Sequence, residues 1–246
     1  MAERAVTPEI INPPILISRT IPRSEDRSRH SRLFLLSEFL LLFLGIPLAL
    51  FFGLATRLPP LPILWAVATY ALVVLLRDPA FDCRQLWNIA PLGQQLPQIL
   101  ALFLAAAAIV TILVRQYAPD LFLVLVRTHP RTWALILVAY PLFSVYPQAL
   151  LYRAFFFHRY RPLLDPVLDP LTRSSLMILV SAATFALMHI LFHNWIALAL
   201  TFLGGILFAL RYANTRSLAV SSLEHALYGC FLFTIGLGQY FYVRVV

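Results

Sequence analysis

Apolar residues along the chain fall into long runs separated by charged and proline-bearing gaps. The runs cover about 33–56, 61–76, 97–118, 132–157, 174–193, 195–210 and 218–242. A helix needs roughly 20 apolar residues to cross the hydrocarbon of a bilayer. The pattern therefore predicts seven transmembrane helices, with six or eight as alternatives because two runs are short, and a further helix at 119–126. The expected fold class is all-α, a polytopic transmembrane helix bundle over residues 33–246. Residues 1–32 show no apolar period and hold Pro13, Pro14, Pro22 and six Arg, so they read as a mostly unstructured cytoplasmic tail against the lipid surface. They lack the short apolar core and small-residue cleavage site of a signal peptide. The alanines at 105–108 and the glycines at 204 and 205 are where helices are expected to approach closely.

Composition sharpens this picture. The chain is 61% apolar and 12% charged, which excludes an ordinary soluble domain. Its formal charge of +8 is carried by Arg alone, since no Lys occurs. If the N-terminus is cytoplasmic, 14 Arg fall in inside segments and five in outside ones, which favours that orientation. Arg placed between apolar spans sets topology, so the basic balance does not imply a nucleic-acid partner. Two cysteines, Cys83 and Cys230, form neither a disulfide framework nor a CxxC metal pair. Length and Arg usage point to a bacterial inner membrane.

The polar residues inside the runs carry the candidate chemistry. Gln148, Arg153, His158 and Arg159 lie in or against the fourth run, after Pro147, which should kink or restart the helix. A guanidinium in hydrocarbon needs a partner. The position one turn before Arg153, where a carboxylate would pair best, is Ala149. In the fifth run Phe185 and His189 share a face, with His193 a turn later and Asn194 at the following hairpin. In the last run Glu224 and His225 are adjacent and Gly229 follows a turn later. Three such clusters are expected to meet in one cavity, opening toward the cytoplasmic leaflet. Plainer readings stand beside these. Glu224 would favour its helix N-terminus through the dipole, and Glu38 would snorkel or pair with Arg32 of the tail. The aromatic run at 155–157 would be core or lipid contact, and His158, Arg159 and Arg161 a rim facing anionic headgroups.

These residues resemble the CAAX-protease and bacteriocin-processing intramembrane endopeptidases, also called the Abi family or glutamic-type intramembrane proteases. That family is marked by EExxxR, then FxxxH, then HxxxN or HxxxD on successive helices. Here FxxxH is intact as Phe185 and His189. EExxxR keeps Arg153 but holds Gln148 and Ala149 at its two Glu positions, and the third motif keeps His225 with Gly229 in place of the amide or carboxylate. The resemblance covers about residues 95–240. It implies an endopeptidase that hydrolyses a peptide bond of a membrane-associated protein or peptide. Residue 148 or 149 would be the base, His189 its partner, His225 an oxyanion donor and Arg153 the orienting residue, with Tyr152, Phe185 and Asn194 against the substrate.

Gln is a poor proton acceptor and Ala is none, so the chain as written is expected to be silenced. One explanation is a deliberate replacement of a catalytic Glu at 149, made to trap substrate or stabilise the protein; it is preferred because Arg153 otherwise lacks its carboxylate. The other is a natural pseudoenzyme, or an active variant in which Glu224 supplies the base. The resemblance implies no required cofactor. The His189–His193 spacing with His225 or Glu224 keeps zinc as an option, although no HExxH occurs. The alternative from another class is a non-catalytic membrane scaffold or receptor that holds a peptide or lipid-linked tail in the same cavity. Matched pairs of broken helices, the mark of many transporters, are not evident.

Overall fold

The computed structural model describes residues 25–54, 59–164 and 168–242, and the regular elements among them are helical. Seven of these helices are long and apolar enough to cross a membrane: α1 (Ser31–Gly53), α2 (Pro60–Arg77), α3 (Leu92–Tyr117), α4 (Pro130–Arg159), α5 (Pro170–Phe192), α6 (Trp195–Thr215) and α7 (Leu218–Ile235). The chain is an integral membrane protein with the all-α architecture that its apolar periodicity predicts.

Boundaries differ where polar side chains find partners inside the bundle. The α3 helix begins at Leu92 rather than near 97, because the side-chain carbonyl oxygens of Gln95 and Gln98 in its first turns accept from a buried guanidinium. The α6 helix runs to Thr215 rather than stopping near 210, because Arg211 is part of its buried face and not a loop cation. Residues 119–126 resolve into a single tight turn at Pro119–Leu121 and a short helix at Val124–Thr128. Helical structure starts at Glu25, inside the expected tail. The rest of that tail, 1–24, lies outside the described residues, as do 55–58, 165–167 and 243–246.

Proline does not break α4. A proline removes one donor and crowds the carbonyl four residues back, yet Tyr146–Ala149 keeps right-handed helical geometry through Pro147. Wider turns with i→i+5 hydrogen bonding absorb the misfit before it, at Pro141–Val145, and after it, at Leu150–Phe155. The same device precedes Pro47 in α1, at Leu41–Gly45. Such turns are uncommon and cluster at functional sites, and here the second one carries Tyr152 and Arg153.

The core gathers around the second half of α4. Phe155, Phe156 and Phe157 are all buried, so the aromatic run is core and not lipid contact. Phe43 of α1 meets Tyr152 and Phe156 edge-on, at ring-centroid distances of 5.4 and 5.6 Å. Beside this cluster Glu38 accepts from Arg159 at 2.9 and 3.2 Å and from the Tyr70 hydroxyl, which fastens α1, α2 and α4 together. Glu38 is thus an interior partner rather than a snorkelling one, and Arg159 leaves the expected headgroup rim. His158 leaves it too, since its Nε2 lies 2.8 Å from Asp78 at the end of α2. The imidazole contact holds the Asp78 carboxyl below the usual carboxylate range. Arg161 is exposed.

The α5–α6 hairpin is the closest helix pair. A Cβ on Gly205 would sit 2.9 Å from the Ala182 Cα, so glycine permits this approach, as the glycine pair predicts. The alanines at 105–108 do not serve the same purpose: Ala106 and Ala107 line a cavity, while Ala105 and Ala108 are exposed. One end of the bundle collects Asp78, His158, Asn88 and Ser217, through the His158–Asp78 pair and a hydrogen bond from the Ser217 hydroxyl to the Asn88 carbonyl. The opposite end is closed by the Leu123 N–H to the Ile235 carbonyl at 3.2 Å, Trp133 Nε1 to Thr234 Oγ1 at 3.0 Å, and Asn194 Nδ2 to the Tyr240 carbonyl at 2.9 Å.

Candidate functional site

Regular α-helical geometry in α5 ends at Met188, and His189 opens a tighter final turn. That turn lets His189 Nδ1–H donate to the Phe185 carbonyl at 2.7 Å. The donation fixes the tautomer and leaves Nε2 with a lone pair to offer a ligand. The Phe185 ring lies edge-on to His189 at 4.8 Å and to His225 of α7 at 5.4 Å, so it is the contact that joins the two imidazoles. His225 is stacked on Phe208 of α6, 4.6 Å away at 18°, and its Nε2 is 3.3 Å from the Tyr140 hydroxyl of α4.

These side chains border a cavity of about 380 Å³, whose remaining wall is mostly apolar residues of α3, α6 and α7 such as Val110, Leu207 and Leu232. The cavity reaches from His225 to Phe241, which follows α7 at the end of the bundle away from Asn88 and Ser217. The expected opening toward the Arg-rich end is thereby corrected. Charged side chains there are tied to one another at a different level of the bundle.

Sequence reasoning missed Tyr140. Its ring occupies the space that a side chain at 229 would need: a Cβ on Gly229 would fall far inside contact distance of the Tyr140 Cε1 and hydroxyl. Glycine at 229 is therefore a packing requirement, and α4 brings the Tyr140 hydroxyl to His225. Tyr140, one of three tyrosines in α4, carries no signal by spacing, because the complementarity is between helices.

Arg153 is 1% exposed and Ala149, a turn before it, contributes only a buried methyl. Arg153 Nη1 donates to Ser181 Oγ at 3.2 Å and to the Tyr152 carbonyl at 3.3 Å, and its Cζ lies 4.9 Å from the Phe185 ring centre. All of these partners are neutral. Arg153 Nε is buried with no hydrogen-bonding partner. Tyr152 is a core residue, edge-on to Phe43 and Phe185, whose carbonyl also accepts from Ser181 at 2.7 Å. Gln148 donates to Ser144 Oγ at 2.7 Å, and its Oε1 is buried without a partner.

Two further sequence candidates stand apart from the cavity. Glu224 is fully buried and accepts from Arg211 Nε at 2.8 Å and Nη2 at 3.1 Å, while Arg211 Nη1 reaches Gln95 and Gln98. It is a structural partner several residues into α7, not a charge at the helix N-terminus. Asn194 caps α6, accepting from the Ala197 N–H at 2.8 Å and donating to two carbonyls. His193 leaves the helical path, with φ of 55°, and stacks on Phe51 at 4.7 Å, so the i, i+4 relation to His189 is lost. Among the described residues no group of three His, Cys, Asp or Glu is arranged to hold a metal ion. Among the described residues no carboxylate lines the cavity.

Residues 130–231, from the start of α4 to most of α7, match the family described as Rce1-like, type II CAAX prenyl endopeptidase Rce1-like. No curated protein and no solved structure matches the chain. The matched region contains every helix that contributes Tyr140, Arg153, Phe185, His189 and His225, and with the seven apolar helices it supports a CAAX-protease type of intramembrane fold.

Proposed function

With the Rce1-like match over α4 to α7 as premise, we propose that this protein is an intramembrane endopeptidase fold that receives a membrane-associated protein or peptide, and that the chain as written lacks the carboxylate that would activate water. In the complete reaction a carboxylate at position 149 takes a proton from water, and the water oxygen attacks the scissile carbonyl carbon. His189 Nε2 helps to hold that water, and the donors around His225, with the Tyr140 hydroxyl, stabilise the oxyanion. The proton then passes to the departing amine nitrogen as the C–N bond breaks. Water is the only co-reactant, and no metal ion is needed. The fold sits in a bacterial inner membrane with its N-terminus in the cytoplasm, on the strength of the Arg asymmetry.

The observation that carries this reading is the convergence of Phe185, His189 and His225 on one apolar cavity, with Arg153 against Phe185 and only a methyl at 149. The test is cleavage in proteoliposomes by the chain as written and by Ala149→Glu, with new termini read by mass spectrometry against host membrane-protein extracts. New termini only with Ala149→Glu are expected. A general base is worth about a hundred- to ten-thousand-fold, so the contrast should be large.

A second reading, a non-catalytic scaffold that binds the same peptide, draws on the engagement of Glu224 by Arg211, which takes Glu224 out of the role of substitute base, and on the Tyr140 ring against Gly229. Binding by both chains with cleavage by neither selects it.

A further inference from the structure

Two arginine–glutamate pairs in this protein use the same face of the guanidinium. Arg159 meets Glu38 through Nε at 2.9 Å and Nη2 at 3.2 Å. Arg211 meets Glu224 through Nε at 2.8 Å and Nη2 at 3.1 Å. In both, the Nε–Nη2 edge takes the two carboxylate oxygens as a fork, the geometry in which a planar guanidinium binds an acid most strongly.

Arg153 presents the same edge differently. Its Nη1 is committed to Ser181 and the Tyr152 carbonyl, which orients the plane. Its Nε is buried without a partner, and the hydrogen bonds that hold Arg153 run through Nη1. No carboxylate forms an ion pair with it there either. The Phe185 ring offsets part of the charge from one face, but a cation–π contact gives the N–H groups of the edge no acceptor. A cation this deep, with the buried Nε donor of that edge unanswered, is a strong attractor for a small anion.

We propose that the Nε–Nη2 edge of Arg153, one turn along α4 from Ala149, is a binding site for a small free carboxylate, with formate as the simplest member of the class. The carboxylate accepts from Nε and Nη2 as Glu38 and Glu224 do from the other two arginines, and it neutralises the buried charge. Position 149 controls the site: a longer acidic side chain there would reach the same edge and exclude the solute. The proposal stands on the three guanidinium edges and not on peptide hydrolysis, so its outcome is independent of the cleavage test.

The experiment is thermal unfolding of the purified full chain in detergent, titrated with sodium formate, beside the same titration of Ala149→Glu. A ligand that binds only the folded state at about 100 times its dissociation constant should raise Tm by roughly 5 °C for a chain of this length. A saturable rise in the chain as written that is absent in Ala149→Glu is expected, and the general effect of the salt cancels between the two. Arg153→Met should lose the response as well. An equal rise in both chains, or none in the chain as written, overturns the proposal. Should Arg153→Met fail to fold, the comparison with Ala149→Glu still decides.

Discussion

Two arginines lie deep in this membrane protein, and the bundle treats them oppositely. Arg211 is 4% exposed and has every edge answered, by Glu224 on one side and by Gln95 and Gln98 on the other. Arg153 is 1% exposed and is answered only by a hydroxyl, a carbonyl and an aromatic ring. The first is a joint, because α3, α6 and α7 meet at it and none of its members borders the cavity. The second touches Phe185, which does border the cavity, through a helix turn of unusual pitch. A satisfied buried ion pair holds helices in register, whereas an unsatisfied cation next to a cavity marks the place where a charge is missing.

The largest test of this contrast is to remove the Arg211 charge. Arg211→Met leaves Glu224 buried and unpaired, and should cost about 3–5 kcal/mol of stability in detergent unfolding. If it is tolerated without loss, the joint is not where α3, α6 and α7 are held. Next in size is Ala149→Glu, which should add about 1.5–3 kcal/mol through charge-assisted hydrogen bonds to Arg153, read as a higher Tm at neutral pH. Destabilisation instead would mean that the site has no room for a carboxylate, and the contrast between the two arginines would then reflect packing alone.

Gly229→Ala probes the cavity side, where the new methyl would strike the Tyr140 ring. A loss of about 1–3 kcal/mol is expected, and truncating the ring in the double variant with Tyr140→Ala should recover part of it. Additive losses would show that Tyr140 does not depend on the glycine.

The smallest effect belongs to the partly exposed pair of Asp78 and His158. The Asp78 carboxyl is held below its usual range, first by the imidazole hydrogen bond and then by the Ala80 N–H, so its folded-state pKa is below its unfolded one. Its contribution is therefore complete above the unfolded value near 3.9 and fades as pH falls through the folded value. Asp78→Asn should lower stability at pH 6 by less than about 1 kcal/mol and flatten the acid limb of the stability profile. An unchanged acid limb would assign the acid sensitivity elsewhere.

Much of the architecture is legible in the sequence. The apolar runs predict seven spans, because hydrocarbon demands a length of unbroken apolar helix whatever the neighbours are. Helix ends were read less well, and the reason is specific: Gln95, Gln98 and Arg211 look like loop residues by polarity but extend α3 and α6, since they satisfy one another inside the bundle. Pro147 looked like a break for a similar reason. A proline rule describes the ideal α-helix, and α4 answers it with wider turns on both sides. In the site, Phe185, His189 and His225 were legible from spacing. Glu224 was not legible as the partner of Arg211, because the two lie on different helices and pair only across the hairpin. Tyr140 was not legible at all.

By itself the sequence determined that this is an all-helical membrane protein, and that residue 149 brings no acid to the arginine one turn later, for both follow from which side chains stand at which intervals along one helix. Only the tertiary structure decided that Glu224 belongs to Arg211, that Tyr140 needs Gly229, that the cavity faces the end away from Asn88 and Ser217, and that Arg153 keeps an unanswered edge. These are relations between helices, and they depend on how far each helix slides and turns against its neighbours, which intervals along one chain do not encode.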